Sequence, residues 1–495
     1  MENKWIVVYG KYEGLEKKAL NLINATVSDL YKNYLPFYRA NDIDRKTLYD
    51  NNLIIVGTIT DNKYLKEYAD NGNLKIIPEE QAFSISVDES RFNKDKQSIA
   101  ILGYDEKGVL YGAVDFINKY CGDLIYKAGI GDLQDRIYFE SPFKNKAPKW
   151  SYSSAPSVKE RAIWTWGHVI YDYRSFFDNM VLLKLNEIVI WNDYAPINAD
   201  DIVDYAHSLG IKVIWGFAWG WDTDCKTSMR MTEKGIEELK ENIINRFEIE
   251  YAHRKGDGIY FQSCTELGDE YIDGRLIAAA VVDLVNKTGR KLLEKYPDLK
   301  LQFGLHATSV KNKLEYIAQV DERITIVWEN CGEAFPFINN IADQKTEKQV
   351  SDIPIDADFL KKICTLRGEN EKIGFVLKGM SGLDWTTFSH QPENIVLGEK
   401  SDSFIDNRLS ERRKIWKLRQ ANWIYNCEKA RETVKLITEN AKDVNVQGLI
   451  EDGMFEKEIP LPAAIYAETL WDSEKSGKDI LNEVIKFPCV KAANI

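Results

Sequence analysis

Apolar positions are grouped in two ways along the chain. In the first part, the short apolar runs Trp5–Tyr9 and Leu53–Gly57 flank a stretch with helical spacing, Leu15–Tyr31. Phe83–Val87 alternates as a half-buried strand does, and Ser98–Gly103 leads into an amphipathic helical pattern over Gly108–Tyr120. This order predicts a small α/β domain over residues 1–125. Pro142, Pro148 and Pro156 then punctuate a connection over 126–157. From residue 158 to 495 the alternation becomes regular. Candidate strands are Ala162–Trp166, Glu187–Trp191, Lys212–Phe217, Gly258–Gln262, Lys300–Gly304, Ile324–Trp328, Lys372–Leu377 and Val444–Ile450. Helical patterns such as Asp172–Leu185, Glu233–Ala252, Arg275–Lys295 and Arg408–Glu439 lie between them. Eight βα units predict an α/β fold: a (β/α)8 TIM barrel preceded by the small α/β domain. An open doubly wound sheet would carry a glycine-rich phosphate turn after its first strand, and none is present.

Composition agrees with this picture. At 495 residues and 44% hydrophobic, the chain can bury a large core without disulfides or metals. Its net charge of −12 argues against nucleic acid or an anionic membrane as the main partner. The seven cysteines are scattered without a CxxC pair, so neither a disulfide framework nor a zinc site is expected. Met1–Gly10 has neither a basic segment nor the long apolar run of a secretory signal, which leads to the expectation of a cytoplasmic protein.

In a barrel of this type the chemistry sits where strands run out at their C-terminal ends. Strand one carries Trp164 and Trp166, and strand two ends in Trp191, Asn192 and Asp193. Strand three gives Trp215, Trp219, Trp221 and Asp222; strand four runs into Thr265 and Glu266. His306 follows strand five, Trp328 and Glu329 close strand six, and Asp384 and Trp385 follow strand seven. Indole walls suit the apolar faces of sugars, and carboxylates suit their hydroxyls. Glycosidic cleavage needs two acids, one protonated to assist the leaving oxygen and one to attack or stabilise the cationic centre. Glu266 follows the apolar run GIYF among neutral neighbours, an environment that favours its protonated form, and is the candidate acid. Glu329 is the leading partner, with Asp193 and Asp384 as competitors. Trp164, Trp166, Asn192, Trp219, His306, Trp328 and Trp385 complete the expected sugar-binding rim.

The stretch Arg161–Asp193 resembles the first βαβ unit of glycoside hydrolase family 20, the β-N-acetylhexosaminidases, with Met180, Lys184, Leu185 and Asn186 matching its helix-end phrase. Gly103–Tyr120 is similar to the end of the small domain that precedes the barrel there and in families 84 and 67. Ile326–Asn330 looks like the family 20 strand-six phrase. The resemblance implies that Arg161 binds hydroxyls of the non-reducing terminal sugar, that Glu266 is the general acid and that Trp328 lines the pocket. It also implies an exo-acting glycosidase on a β-N-acetylhexosaminide-like substrate. The sequence departs from family 20 at Thr265, where that family has an Asp orienting the substrate's acetamido group. Another carboxylate would then have to balance the charge, or the sugar is different.

Two alternatives follow. An α-glucuronidase-like hydrolase would need a cation for the sugar carboxylate, and Arg161, Lys378 and His306 are available. A non-catalytic carbohydrate-binding barrel is favoured by Thr265. The five histidines form no HxH or HExxH pair, so neither metal nor cofactor is expected. The expected partner is an oligosaccharide or glycoside.

Overall fold

The computed structural model describes residues 4–127, 143–144, 146–220, 230–266, 270–329, 356–369, 371–380, 393–450 and 455–492, with Glu266 and Thr308 as backbone only. The N-terminal sheet has six strands: β1 (Trp5–Tyr9), β2 (Phe37–Arg39), β3 (Asn52–Gly57), β4 (Phe83–Glu89), β5 (Gln97–Gly103) and β6 (Trp150–Ser154). Their order is β2-β1-β3-β5-β4-β6, with β4 antiparallel to both its neighbours. Every residue of β3 and β5 is buried because both faces are covered, as continuous apolar runs require. Trp5, Val7, Ile54, Val56, Ile99 and Ile101 pack with helices α1 (Gly14–Tyr31) and α4 (Glu106–Asp115). Ile6, Val8, Leu53 and Ile55 pack on the opposite face with α2 (Arg45–Asp50) and α3 (Lys63–Asp70). β6 falls within the stretch 126–157 read as a connection.

The second body is a closed barrel of eight parallel strands. They are β7 (Glu160–Trp166), β8 (Glu187–Trp191), β9 (Lys212–Ala218), β10 (Gly258–Gln262), β11 (Lys300–His306), β12 (Thr325–Glu329), β13 (Lys372–Met380) and β14 (Asp443–Ile450). Each coincides with a strand expected from the sequence. The barrel helices include α5 (Tyr173–Leu182), α6 (Ala199–Ser208), α7 (Glu233–Glu250), α8 (Ile277–Lys295), α9 (Ala357–Ile363), α10 (Asp402–Asn440), α11 (Leu461–Trp471) and α12 (Gly477–Val484). Alternation along the strands sends one set of side chains inward and the other toward the helices. At the N-terminal end the inward set is polar: Glu187 Oε1 accepts from Gln302 (2.9 Å) and Asn445 (2.7 Å), and Lys212 and Lys300 pair with Glu160.

The N-terminal sheet docks on that same end, which corrects the expectation for Arg161. This residue opens β7 at the end opposite the expected site and is fully buried. Its guanidinium donates to the carbonyl oxygens of Lys184 (2.6 Å) and Val158 (2.7 Å) and to Gln81 Oε1 (2.9 Å), and lies 5.0 Å from the Trp471 ring. Arg161 therefore cannot reach a sugar at the C-terminal mouth. The matching phrase at the end of α5 acts in the same joint. Lys184 pairs with Asp115 and Glu468, and Asn186 bonds Gln81 and the Lys159 carbonyl.

α10 is longer than the barrel is tall. Trp423 Nε1 donates to the carbonyl of Gly379 (3.1 Å), near the C-terminal end of β13. The first turns of α10 lie beside the segment after β7: Phe404 is 5.2 Å from the Tyr171 ring, and Arg408 Nε donates to the Tyr171 hydroxyl (3.3 Å). Among the described residues no helix is long and apolar enough to cross a membrane.

Candidate active site

The C-terminal mouth of the barrel is built by the inward positions of neighbouring strands. β12 lies between β11 and β13, and the register sets His306 directly beside Glu329. His306 Nε2 is 3.3 Å and Lys378 Nζ 3.6 Å from Glu329 Oε2. From β10, Tyr260 Oη and Gln262 Nε2 both donate to Oε1 at 2.5 Å. A glycine makes the first of these contacts possible: a Cβ at Gly304 would stand 1.9 Å from the Tyr260 hydroxyl. Burial pushes the Glu329 carboxyl upward in pKa. The hydrogen bond from His306, the Lys378 and His306 charges and the Tyr260 hydroxyl outweigh it and hold the group well below the ordinary carboxylate range. Glu329 is thus an anion at any physiological pH.

Three indoles wall the space beside it. Trp164 lies 5.2 Å from Trp166 and 6.0 Å from Trp191 between ring centroids, and 5.7 Å from Tyr260. Gly216 leaves room for Trp191, whose Cα a Cβ there would approach to 3.0 Å. All three indoles belong to one cluster inside the barrel. Among the described residues the buried Nε1 groups of Trp164 and Trp191 reach no acceptor, so each is a donor available to a ligand oxygen or a water.

Other expected rim residues are placed differently. Trp328 is fully buried on the outer face of β12, 6.0 Å from Phe359 of α9. It precedes the inward-facing Glu329, and strand alternation must turn it away from the pocket. Trp219 likewise follows the inward Ala218 and stacks on Phe261 in the outer layer, with 3.6 Å between centroids. Trp215, in the same layer, lies 5.8 Å from Tyr251. These indoles are core, not rim. Asn192 donates to the Tyr194 carbonyl, while its carbonyl accepts from Tyr251. The Asp193 carboxylate lies 3.9 Å from Arg246 of α7. The side chain of Glu266, and all of Trp221, Asp222, Asp384 and Trp385, lie outside the described residues. The backbone at Cys264–Glu266 closes a short helical turn after β10, and the buried hydroxyl of Thr265 has no hydrogen-bond partner among the described residues.

Sequence reasoning passed over Tyr260 and Gln262, although both are polar groups on one face of the apolar run GIYFQ. It also passed over Glu456. This buried carboxyl follows β14, and its Oε1 accepts from the backbone N–H of Tyr171 (2.7 Å), just past the end of β7. Burial raises its pKa to about 7 against the pull of backbone donors at Tyr171 and Asp172. Among the described residues no three His, Cys, Asp or Glu side chains are grouped as a metal ion would require.

No family model matches the sequence, and no curated protein matches it. Solved structures similar to the chain include CpGH84D, at 12% identity over 97% of this chain and 89% of that one, with a TM-score of 0.42. The GH20 exo-β-N-acetylglucosaminidase of Vibrio harveyi is 10% identical over 98% and 73%, with a TM-score of 0.49. The GH20 β-N-acetylhexosaminidase of Streptomyces coelicolor is 9% identical over 99% and 94%, with a TM-score of 0.46. Families 20 and 84, named from the sequence, both recur among them. At this distance the likeness assigns no role to any residue of the mouth.

Proposed function

We propose that the chain is an exo-acting glycoside hydrolase working at the C-terminal mouth of its barrel. One observation carries the reading: an anionic carboxylate, Glu329, is held by four donors inside a barrel mouth walled by Trp164, Trp166 and Trp191. A carboxylate fixed in its charged form is suited to attack or stabilise an oxocarbenium-like centre, and unsuited to deliver a proton. The acid must then be a second group, and Glu266 is the candidate. It follows the strand whose Tyr260 and Gln262 already reach Glu329. The substrate is a terminal sugar of the β-N-acetylhexosaminide type. With Thr265 uncharged, the negative charge opposing the cationic centre falls to Glu329.

The two roles separate by leaving group. Glu329→Gln is expected to lower kcat/KM on every aryl glycoside, whatever its leaving group. Glu266→Gln is expected to lose about 10²–10⁴-fold on poor leaving groups and to keep much of its turnover on dinitrophenyl glycosides, which leave without a proton. Wild-type turnover in either variant on a poor leaving group would refute the assignment.

The uncharged Thr265, standing directly before Glu266 where an Asp was expected, favours a second reading, a barrel that binds sugar without cleaving it. Calorimetric binding of a sugar by the wild-type chain, with no hydrolysis across the panel, would establish that reading instead. The α-glucuronidase-like reading has lost support: Arg161 lies at the opposite end, and Lys378 and His306 are engaged with Glu329.

A further inference from the structure

The N-terminal half of α10 forms one wall of a second cleft, of about 700 Å3. The opposite wall is the segment around Glu458, Pro460 and Pro462, together with Lys491 near the end of the chain. Helical spacing brings Arg413, Lys414 and Lys417 to this face, all three exposed. None of them makes an ion pair among the described residues. The one acidic side chain on the cleft wall, Glu458, is 3.0 Å from Lys491 Nζ. Four cations thus face one carboxylate in a chain whose net charge is −12. Like charges within one turn of a helix repel, and no ion pair among the described residues offsets that repulsion at these three. The floor differs in character: Trp416 and Gln420 are nearly fully buried, and two prolines stiffen the wall beside them.

The geometry points to a second binding site in this cleft for an acidic oligosaccharide, its carboxylate or sulfate groups held by Arg413, Lys414 and Lys417. Guanidinium and ammonium donors form charge-assisted hydrogen bonds with either anion. The volume lies in the range of small-ligand sites. A single-stranded nucleic acid would call for a series of stacking aromatics along a basic groove, and this cleft presents one indole. None of the residues lining the cleft is among those that surround Glu329. The cleft's glycan specificity rests on the hydrolase reading, whereas its charge recognition does not.

The test is calorimetry on the full chain and on an Arg413→Glu/Lys417→Glu double variant. Three glycan probes are used, an oligogalacturonate, a sulfated oligosaccharide and a neutral chitooligosaccharide, with a short single-stranded oligonucleotide as a fourth. The wild-type chain is expected to bind the galacturonate, the sulfated probe or both at low salt, and more weakly at high salt. Whichever binds identifies the anion. The double variant should bind at least about tenfold more weakly, with a thermal midpoint no lower than that of the wild type and unchanged hydrolysis of small neutral aryl glycosides. Failure of both acidic sugars to bind, equal binding by the variant, or preference for the oligonucleotide would each overturn the proposal. Acidic-sugar binding without aryl glycoside hydrolysis would leave this site standing and remove the proposed catalysis. Hydrolysis without acidic-sugar binding would do the reverse.

Discussion

Tyr260 and Gln262 reach Glu329 from β10, one strand beyond β11, while His306 and Lys378 reach it from the two adjoining strands. The charge state of this carboxylate is therefore set by neighbours that can be removed one at a time. Lys378→Met deletes a positive charge 3.6 Å from Oε2, so the Glu329 pKa must rise. An opposite charge at such range lowers a carboxyl by about 1–3 units. The acidic limb of the pH profile of kcat/KM is expected to move upward by a comparable amount, and an unmoved limb would show that Glu329 does not govern it. Gly304→Ala acts on the same carboxylate by volume. The new methyl would occupy the space of the Tyr260 hydroxyl. Overpacking of this kind costs about 1–3 kcal/mol, read as a lowered denaturant midpoint, and catalysis is expected to fall with it as Tyr260 is displaced. At this scale the sequence was legible only where parity along a strand could be counted. Trp164, Trp166 and Trp191 share the inward face, but Trp219 and Trp328 sit one position out of phase with it. A tryptophan at a strand end carries no mark of the side on which it emerges.

Elements were more legible than their side chains. The eight barrel strands are buried on both faces and read as continuous apolar runs, which made them visible. β6 was missed because its sequence, WSYSS, belongs to an edge strand that is only partly buried. The phrase at the end of α5 was visible but misread in purpose: Lys184 and Asn186 join the barrel to the N-terminal sheet, far from any sugar. Lys184, Lys119, Asp115 and Glu468 form a buried network there, with Lys119 2.7 Å from Glu468. Lys184→Met would leave buried carboxylates short of a cation, at a cost of about 3–5 kcal/mol. Urea unfolding should register that loss, while turnover at low denaturant stays near wild type. Glu456 joins the segment after β14 to the turn after β7 in a pH-dependent way. In the folded chain its carboxyl keeps a proton up to about pH 7, whereas the ordinary value is 4.5. Between those values the unfolded state binds fewer protons, so this group's stabilising contribution is full below pH 4.5 and fades as pH rises through 7. Glu456→Gln cannot ionise. Its thermal midpoint, compared with wild type, should gain steadily from pH 4.5 to 7, and a constant difference would refute the burial argument.

At the scale of the whole molecule, the two bodies read from the sequence share one apolar core. A single cluster of buried residues runs from Trp5 in the N-terminal sheet to Phe487 beyond the last barrel helix. Trp471, at the end of α11, is inserted into the sheet. Its ring stacks on Phe83 at 5.7 Å, and its Nε1 donates to Ser154 Oγ at 2.9 Å. Backbone bonds from Ser157 and Val158 to the carbonyls of Trp471 and Leu470 tie the strand junction to the same helix. Asn118 caps the Leu182 carbonyl of α5 from the sheet side, and Lys486 pairs with Asp123. Separating the bodies would bare this indole and break the Lys184–Asp115 and Lys119–Glu468 pairs that cross the joint. Exposing the apolar core shared by both bodies is costly enough that neither half should persist while the other unfolds. Urea unfolding of the full chain is therefore expected to give coincident curves by far-ultraviolet circular dichroism and tryptophan fluorescence. Trp5 reports from the sheet and Trp164, Trp166 and Trp191 from the barrel, so a sheet that melted first would separate the two curves. Two resolved transitions would mean that the joint holds the bodies in place without coupling their stabilities.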